Sequence, residues 1–462
     1  MSLPLVSVCV PTSNQAPFLG GAIASALAQD VELEVLVHDD ASSDSTSSVV
    51  MRIADPRVRY IRHSRPLGVA SNRNSCLSRA RGRYVAWLDS DDEYLPGALA
   101  RQLTWLEADP GIGLVHGGFD VIDAGGERLP DWPSVFDRDT VEPGREAFRN
   151  LIASNEVTTS TTMVRRGCHD RAGGFRRGAG ASSSDWDAWL RVALGSDVAY
   201  TAAPVARYRQ HEATISRHTS ASGERLRCDI DVVRRLLSTE RSRVPDRHQA
   251  AVTSSAALAA KALSLAGDLL TRGRREASMR SVALAVRLAP ATLARLAPRL
   301  LRSTARGDAY GCYRANKEML ARLADVLEGT RYGRKVSAAA YTDPDWESVL
   351  VRAAEAVRRV VPADACLGTV TKWDPTLLEL SGRRGRNFPD RRLLPDGYPS
   401  DGARAVAHLE EMRGKGLSHL ALPSASFWWL EHYPALASHL DDRATRLWRD
   451  HDCVIYDLSA TR

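Results

Sequence analysis

Three carboxylates stand together after one apolar run of the sequence. Asp89, Asp91 and Asp92 follow residues 84–88 (YVAWL), which have the composition of a buried strand. Uncompensated negative charge is costly at such a position. A hard divalent cation that bridges phosphate oxygens would compensate it, since Mg²⁺ typically binds one or two carboxylates together with substrate phosphate. The same acids would also suit the N-terminus of a helix beginning near Pro96, and alone they leave both interpretations open.

A second acidic pair closes another apolar run. Asp39 and Asp40 follow residues 32–38 (ELEVLVH). A carboxylate at this point can accept hydrogen bonds from a nucleobase or a ribose. Aspartate is also a usual residue of turns and helix N-caps, and the pair taken alone favours that structural interpretation.

Strand and helix signals alternate around these acids. The predicted strands are 5–11, 32–38, 58–63 and 84–88, and the predicted helices are 16–29, 43–54 and 68–81. This order predicts an α/β fold with a mostly parallel sheet and helices on both faces. Ligands of such sheets bind beyond the carboxyl ends of the strands, so we expect the polar strand ends to meet at one edge.

Several segments together resemble glycosyltransferase family 2, the inverting nucleotide-sugar enzymes with the GT-A fold. The resemblance covers residues 1 to about 220, a little under half of the chain. In the first hundred residues it rests on VSVCVPTSN, VHDDASSDST and LGVASNRNSCLSRARGRYVAWLDSDD. It continues in AGGF at 172–175, in SDWDAWLR at 184–191 and in YRQH at 208–211, which is followed by Ser216.

The resemblance implies roles for the donor site and the catalytic base. Asp185 would be the general base that takes the proton of the acceptor hydroxyl. Asp40 would hold the base of the donor, and Asp39 would support that pocket. The residues implied in nucleotide binding are Thr12, Asn14, Asp39, Asp40, Arg73, Asp89 and Asp91.

The resemblance also implies a metal and an acceptor surface. A Mg²⁺ or Mn²⁺ ion would bind at the DxD-type cluster, with Asp92 as the direct ligand and Asp91 near the ribose or the metal. His211 would come within reach of the metal or the pyrophosphate. Trp186 would offer a stacking surface to the acceptor sugar, although a tryptophan at a helix start is often a core residue.

One position departs from the family pattern. Ser184 stands where the family usually has a glutamate directly before the catalytic aspartate. Asp187 competes with Asp185 for the role of base, but on a helix it would lie about 200° around from Asp185, so both are not expected at one site.

We predict two further regions in the rest of the chain. We predict a glycosyltransferase domain at 1–220, a helical region at 221–340 and a small α/β domain at 345–462, with 332–345 as a linker. Residues 221–345 contain 23 Lys or Arg against 13 Asp or Glu. These basic helices are expected either to contact an anionic membrane surface or a phosphate-bearing acceptor, or to present a solvated face.

Composition narrows the class of protein. With 44% hydrophobic and 26% charged residues, the chain is of ordinary globular composition. Its seven cysteines include no CxxC, which disfavours a disulfide scaffold or a structural zinc site. No signal peptide and no apolar run of about 18 residues is read from the sequence, so a cytoplasmic location is expected, with peripheral membrane contact at its inner face. No motif indicates a nucleic-acid partner.

The predicted function is inverting transfer of a sugar from a nucleotide-diphosphate donor, with UDP as the expected nucleotide. The acceptor would be a hydroxyl of a glycan, a lipid-linked glycan or a protein. A non-catalytic nucleotide-sugar-binding or scaffold protein is an alternative that rests on Ser184. A nucleotidyltransferase is a second alternative, disfavoured because the loop at 12–15 (TSNQ) lacks a basic residue for a triphosphate.

Overall fold

The computed structural model describes residues 3–129, 135–178, 180, 182–211, 223–271, 274–306, 309–340, 344–371, 375–390, 399 and 401–459. The chain divides into two compact units. The first comprises Met1–Leu258 and Gly329–Tyr332, and the second comprises Ala259–Glu328 and Gly333–Arg462.

The first unit is built on a nine-stranded sheet. Its strands are β1 Val6–Thr12, β2 Leu33–Asp39, β3 Val58–Arg62, β4 Tyr84–Trp87, β5 Glu93–Tyr94, β6 Ile112–Ile122, β7 Thr140–Glu142, β8 Met163–Arg165 and β9 Asp197–Arg209. The helices that precede β9 are α1 Ala16–Leu27, α2 Thr46–Met51, α3 Val69–Arg79, α4 Ala98–Ala108, α5 Gly144–Leu151, α6 Arg166–Ala172 and α7 Ser184–Ala193. A short 3-10 turn at Thr159–Thr161 lies just before β8.

The sheet has a parallel half and a mixed half. The strand order is β3-β2-β1-β4-β8-β6-β9-β5, with β7 beside β9. The first four strands are parallel to one another, as predicted, because each is joined to the next by a helical crossover. Strand β8 pairs antiparallel with both β4 and β6. Since β2 and β4 lie on opposite sides of β1, the chain reverses its direction of winding there, and a crevice opens beyond the carboxyl ends of β1 and β4.

One apolar core holds the parallel half in place. Strand residues such as Val8 and Val35 are fully buried against Leu19 and Ile23 of α1. Strands β1 and β2 are buried almost throughout, which is the pattern of a parallel sheet covered by helices, whereas β3 at the edge is half-buried.

Helices dominate the middle of the chain. They are α8 Glu224–Thr239, α9 Arg247–Thr271, α10 Arg275–Leu288, α11 Pro290–Leu293, α12 Ala297–Arg306, α13 Ala309–Val326 and α14 Arg331–Ala340. Helix α14 corrects the sequence analysis, which read 332–345 as a linker. Among the described residues one stretch, Arg247–Gly267, has the length and apolarity of a membrane span, but 61% of it is buried within the protein.

The second unit ends, as predicted, in a small α/β fold with one five-stranded sheet. Its strands are β10 Cys366–Thr369, β11 Arg384–Asn387, β12 His419–Pro423, β13 Thr445–Arg449 and β14 Cys453–Asp457, in the order β11-β10-β12-β14-β13. Its helices are α15 Pro344–Val360, α16 Thr376–Ser381, α17 Gly402–Gly414, α18 Trp428–His432 and α19 Pro434–Arg443. Buried apolar clusters cover both faces of this sheet.

Candidate active site

The crevice beyond β1 and β4 contains a polar pocket. Most of the predicted functional residues line it, and they come from five parts of the first unit. The lining residues are Pro11, Thr12, Ser13, Gln15, Asp40, Val69, Asn72, Arg73, Asp89, Ser90, Asp91, Asp92, Thr159, Ser182, Asp185 and Tyr208. Buried polar atoms usually have hydrogen-bond partners. Here the Thr12 hydroxyl, the Arg73 Nε and the Ser182 hydroxyl have no hydrogen-bond partner among the described residues, as expected of a pocket that receives a polar ligand.

The two acids after β2 have different surroundings. Asp39 is fully buried and accepts hydrogen bonds from the Ser42 backbone N–H at 2.8 Å and from the Tyr60 hydroxyl at 2.6 Å. It therefore supports the loop and does not line the pocket. Asp40 does line it, and its carboxylate accepts the backbone N–H groups of Leu67 and Gly68 at 2.6 and 2.9 Å.

Asn14 corrects one prediction. It is exposed and is not among the described residues that line the pocket. Its side-chain oxygen instead accepts the Ser43 backbone N–H at 2.8 Å, while its own backbone N–H donates to the Ser42 hydroxyl at 2.8 Å. Asn14 thus ties the loop after β1 to the loop after β2, and its φ of 54° is one that asparagine tolerates better than most residues.

The three carboxylates after β4 are not equivalent. Asp92 is only 2% exposed, and its two oxygens accept the Ser160 hydroxyl at 2.5 Å and the Arg209 backbone N–H at 2.8 Å. Burial raises the pKa of Asp92 well above its ordinary value, and the charges of Asp91 and Asp89 raise it further. Burial and the two neighbouring carboxylates thus both disfavour the charged form of Asp92.

Asp91 is more accessible than its neighbour Asp92. Its side chain is 15% exposed, and its Oδ2 lies 3.0 Å from His211 Nε2. The His211 ring packs against Phe18 of α1, with ring centroids 4.8 Å apart. Of these two neighbouring acids, Asp91 has the more accessible carboxylate, and the assignment of Asp92 as the direct metal ligand stays a prediction. Ser216, the last residue of the resemblance, lies outside the described residues.

Arg73 connects the acidic cluster to helix α7. Its guanidinium lies 3.1 Å from Asp89 and 3.5 Å from the Ser184 hydroxyl. Burial lowers the pKa of Arg73, but the charges of Asp89 and Asp185 outweigh it and raise that pKa above its ordinary value. Burial in turn raises the pKa of Asp89, although Arg73 opposes this shift. The contact of Arg73 with Ser184 is long, because serine is short where the family pattern has glutamate.

Helix α7 presents its two aspartates to different environments. Asp185 lines the pocket, and its carboxylate accepts the Thr159 hydroxyl at 3.0 Å and the Trp186 backbone N–H at 2.8 Å. Asp187 is fully buried and pairs with Arg191, one helical turn on, at 2.5 Å. The helical spacing thus places only Asp185 at the pocket, as predicted.

Trp186 corrects another prediction. Its side chain is only 1% exposed, and its indole N–H donates to the Leu151 carbonyl at 2.7 Å. A ring with no exposed face cannot stack on a sugar, so Trp186 is a core residue, as Trp189 also is.

The turn predicted at AGGF packs against α3. Gly174 has a φ of 65°, and a Cβ there would come within 2.5 Å of the Asn74 side chain. That side chain pairs with both backbone groups of Phe175, at 2.7 and 2.8 Å. Both the conformation and the close approach therefore require glycine at this position.

Several residues of the site were not predicted from the sequence. Thr159 and Ser160 bind Asp185 and Asp92 from a polar stretch, TTSTT at 158–162, that resembles any loop. Arg209 holds the acidic loop through the Asp91 carbonyl at 2.8 Å. The YRQH segment gave a signal for Arg209, whereas nothing in the sequence marked the two hydroxyls.

Comparisons with known proteins place the chain in a family. Residues 7–168 match the family model of "Glycosyl transferase family 2". An uncharacterized protein of Mycobacterium tuberculosis is 31% identical over 229 residues, which are 47% of this chain and 69% of that protein. The Escherichia coli UDP-Glc:alpha-D-GlcNAc-diphosphoundecaprenol beta-1,3-glucosyltransferase WfgD is 33% identical over 120 residues, which are 26% of this chain and 47% of that enzyme.

A solved structure of similar fold is Staphylococcus aureus TarS 1-349 in complex with UDP-GlcNAc. It is 16% identical, with a TM-score of 0.49, and the match covers 68% of this chain and 90% of TarS 1-349. The sheet and the sequence matches define a glycosyltransferase. The chain belongs to glycosyltransferase family 2.

Proposed function

We propose that this chain transfers a sugar, with inversion, from a UDP-linked donor to a hydroxyl of a lipid-linked or polysaccharide glycan. The observation that carries the proposal is a single pocket lined by both the acidic cluster of residues 89–92 and Asp185. Inversion in one displacement requires the leaving nucleotide and the base on opposite faces of the sugar. Groups for both tasks line this pocket, and no covalent intermediate is needed.

A divalent metal fits the residues present. Among the described residues no group of three or more His, Cys, Asp or Glu is arranged to hold a metal by itself. Asp91 and His211 would supply one or two ligands, and the donor diphosphate would complete the set, which is how Mg²⁺ is often held. When bound, the metal would stabilise the negative charge that develops on the leaving nucleoside diphosphate. Three carboxylates of one loop line this part of the pocket, which supports a cation at this place.

Asp185 acts as the general base. Two hydrogen bonds hold its carboxylate, which has about four lone-pair sites, so it can still accept the proton of an acceptor hydroxyl. Removing such a base typically slows the reaction by roughly 10²- to 10⁴-fold. The positive charge of Arg73 partly balances the carboxylates of this pocket. Its guanidinium lies beside Asp89, and the charge of Asp185 helps to raise its pKa.

A nucleotidyltransferase fits this pocket less well. Among the described residues that line it, Arg73 is the one with a permanent positive charge, and Asp89 already pairs with it. A triphosphate would call for more positive charge than that. Family membership also favours a transferase over a scaffold protein, so we expect the donor to be consumed and not merely bound.

The acceptor and the location follow from a relative. The E. coli enzyme is named for a UDP-glucose donor and a diphosphoundecaprenol-linked acceptor. A lipid-linked acceptor would bring this chain to the cytoplasmic face of a membrane, where basic residues of the helical region 221–340 would contact anionic headgroups. Co-sedimentation with vesicles containing phosphatidylglycerol, compared with phosphatidylcholine alone, would test that contact.

The first experiment is a thermal-shift panel of UDP, dTDP and GDP and their sugars with Mn²⁺, Mg²⁺ or EDTA. A ligand at 100 times its Kd stabilises the folded state by about 2.7 kcal/mol. We expect UDP with metal to raise the melting temperature of the wild type, and Asp91→Asn to lose the metal-dependent part. Asp231→Asn, at an exposed surface ion pair, is the matched control and should behave like the wild type.

The second experiment separates binding from catalysis. Asp185→Asn should keep the nucleotide-dependent shift but lose roughly 10²- to 10⁴-fold in the release of UDP from UDP-glucose. If no nucleotide stabilises the wild type with any metal, the donor-site assignment is wrong. If nucleotides bind but no sugar donor is consumed, the scaffold alternative is favoured.

A further inference from the structure

One short turn carries hydroxyl groups to two parts of the pocket. We call Thr159–Thr161, the 3-10 turn before β8, the hydroxyl turn. Thr159 Oγ1 donates to Asp185 Oδ2 at 3.0 Å, and the next residue, Ser160, donates to Asp92 Oδ2 at 2.5 Å. Both of these residues are buried. The turn thus makes direct contact with the candidate base and with the acidic cluster.

Ser160 uses both hydrogen-bonding capacities of its hydroxyl. Besides donating to Asp92, its oxygen accepts the Asp89 backbone N–H at 3.0 Å. The Asp92 N–H in turn donates to the Asp89 carbonyl at 3.0 Å. These three bonds close a ring that fixes the backbone between Asp89 and Asp92, and with it the orientation of Asp91.

Thr159 fixes the other group. The Asp185 carboxylate is held on one oxygen by the backbone N–H of Trp186 and on the other by Thr159. Without the threonine hydroxyl, the carboxylate would keep a single anchor and could rotate about its terminal bond. Misplacement of a reacting group by about 1 Å can cost about 100-fold in rate.

The hydroxyl turn is itself anchored to the sheet. The Trp87 N–H of β4 donates to the Thr162 carbonyl at 3.0 Å, and β8 continues from there in antiparallel register with β4. The turn therefore cannot shift without breaking strand pairing, so it holds Asp185 and the acidic cluster at fixed positions relative to each other.

We propose that the hydroxyl turn is a positioning element, in which Thr159 sets the orientation of Asp185 and Ser160 sets that of the acidic cluster. This inference rests on the proposed function. It assigns separate consequences to two neighbouring hydroxyls. Loss of the Thr159 hydroxyl impairs the chemical step, whereas loss of the Ser160 hydroxyl impairs binding of the donor with its metal.

The test compares four variants with wild type. Thr159→Val removes the hydroxyl and keeps the shape, Thr159→Ser restores the hydroxyl, and Ser160→Ala removes the neighbouring one. Ser254→Ala is the matched control, since its buried hydroxyl donates to the Ala251 carbonyl within helix α9 and Ser254 is not among the described residues that line the pocket. The readouts are kcat and donor KM for UDP release from UDP-glucose, and the thermal shift produced by UDP with Mn²⁺.

We expect Thr159→Val to lower kcat by about 10- to 100-fold, a usual cost for losing a group that orients a reacting one. Its donor KM and UDP shift should match the wild type, and Thr159→Ser should recover most of kcat. Ser160→Ala should raise the donor KM and reduce the UDP shift, with a smaller effect on kcat. A retained UDP shift in Thr159→Val also shows that this variant is folded.

Two results would overturn the proposal while leaving the proposed function intact. The first is an active wild type with Thr159→Val at wild-type kcat. The second is equal damage by Thr159→Val and Ser160→Ala to kcat and KM alike, without rescue by Thr159→Ser. A wild type that neither binds UDP nor consumes a UDP-sugar would instead refute the proposed function, and this proposal with it.

Discussion

The two aspartates of helix α7 give the sharpest prediction. Asp187→Asn should destabilise the first unit strongly, whereas Asp185→Asn should leave its stability close to that of wild type. The Asp187 and Arg191 side chains are both fully buried, and the Arg191 guanidinium also donates to the Gly174 carbonyl at 2.7 Å. Asp185 has no such buried partner of opposite charge in direct contact among the described residues.

The magnitude follows from the burial of the pair. Burial lowers the pKa of Arg191, and the charge of Asp187 opposes that shift. Neutralising Asp187 leaves a buried guanidinium without its nearest counter-charge, which typically costs about 3–5 kcal/mol. At about 2–4 °C per kcal/mol for a domain of this size, the melting temperature should fall by roughly 6–20 °C.

The assay uses the nucleotide to identify the correct transition. Melting is followed with and without UDP and Mn²⁺, and the transition that the ligand shifts is assigned to the first unit. Well below its melting temperature, Asp187→Asn should retain kcat within a few-fold of wild type, and Asp185→Asn should not. If Asp187→Asn melts with the wild type, the buried ion pair does not hold this helix. If Asp185→Asn is the less stable of the two, Asp185 has a structural role.

Two further predictions concern buried aromatic residues. Burial lowers the pKa of His169 to about 3, so between that value and about 6.5 only the unfolded state binds the proton, and stability falls as the pH falls. From pH 6.5 to 5 the free energy of unfolding should fall by about 2 kcal/mol because of this histidine. His169→Gln should remove that fall, as measured by urea unfolding of the variant and the wild type at both pH values. Trp186→Phe should cost about 1 kcal/mol through the lost bond to Leu151 but leave the KM for acceptor unchanged, whereas a raised acceptor KM would restore Trp186 as an acceptor surface.

The parallel half of the first sheet could be predicted closely. Its four strands end within a residue or so of the predicted bounds, because each is a short apolar run that stops at polar or turn-forming residues. The acids at those ends meet in one pocket for the same reason, since parallel strands bring their carboxyl ends to one edge. Asp40, Arg73 and Asp185 were all predicted at this site and all line the pocket.

The distinction between neighbouring acids could not be predicted. Asp91 and Asp92 are adjacent and chemically identical in the sequence. Asp92 is the buried one because its oxygens meet the Ser160 hydroxyl and the Arg209 N–H, which lie 68 and 117 residues further along the chain. No local pattern encodes a contact at that separation.

Thr159 and Ser160, the two residues that nothing in the sequence marked, share one location in the fold. Strand β4 ends the parallel half, and β8 begins the mixed half directly beside it. Buried parallel strands can be recognised in a sequence as apolar runs, whereas β8 has only three residues and follows a polar turn. The parallel half supplies the acids of the donor site. The turn before β8 supplies Ser160, which binds Asp92, and Thr159, which binds Asp185 of α7. A sequence comparison that scores only the acidic motifs would therefore miss the contacts that decide which carboxylate faces the ligand. For that reason, a hydroxyl exchange at 159 or 160 is a more discriminating test of this site than another substitution of an aspartate.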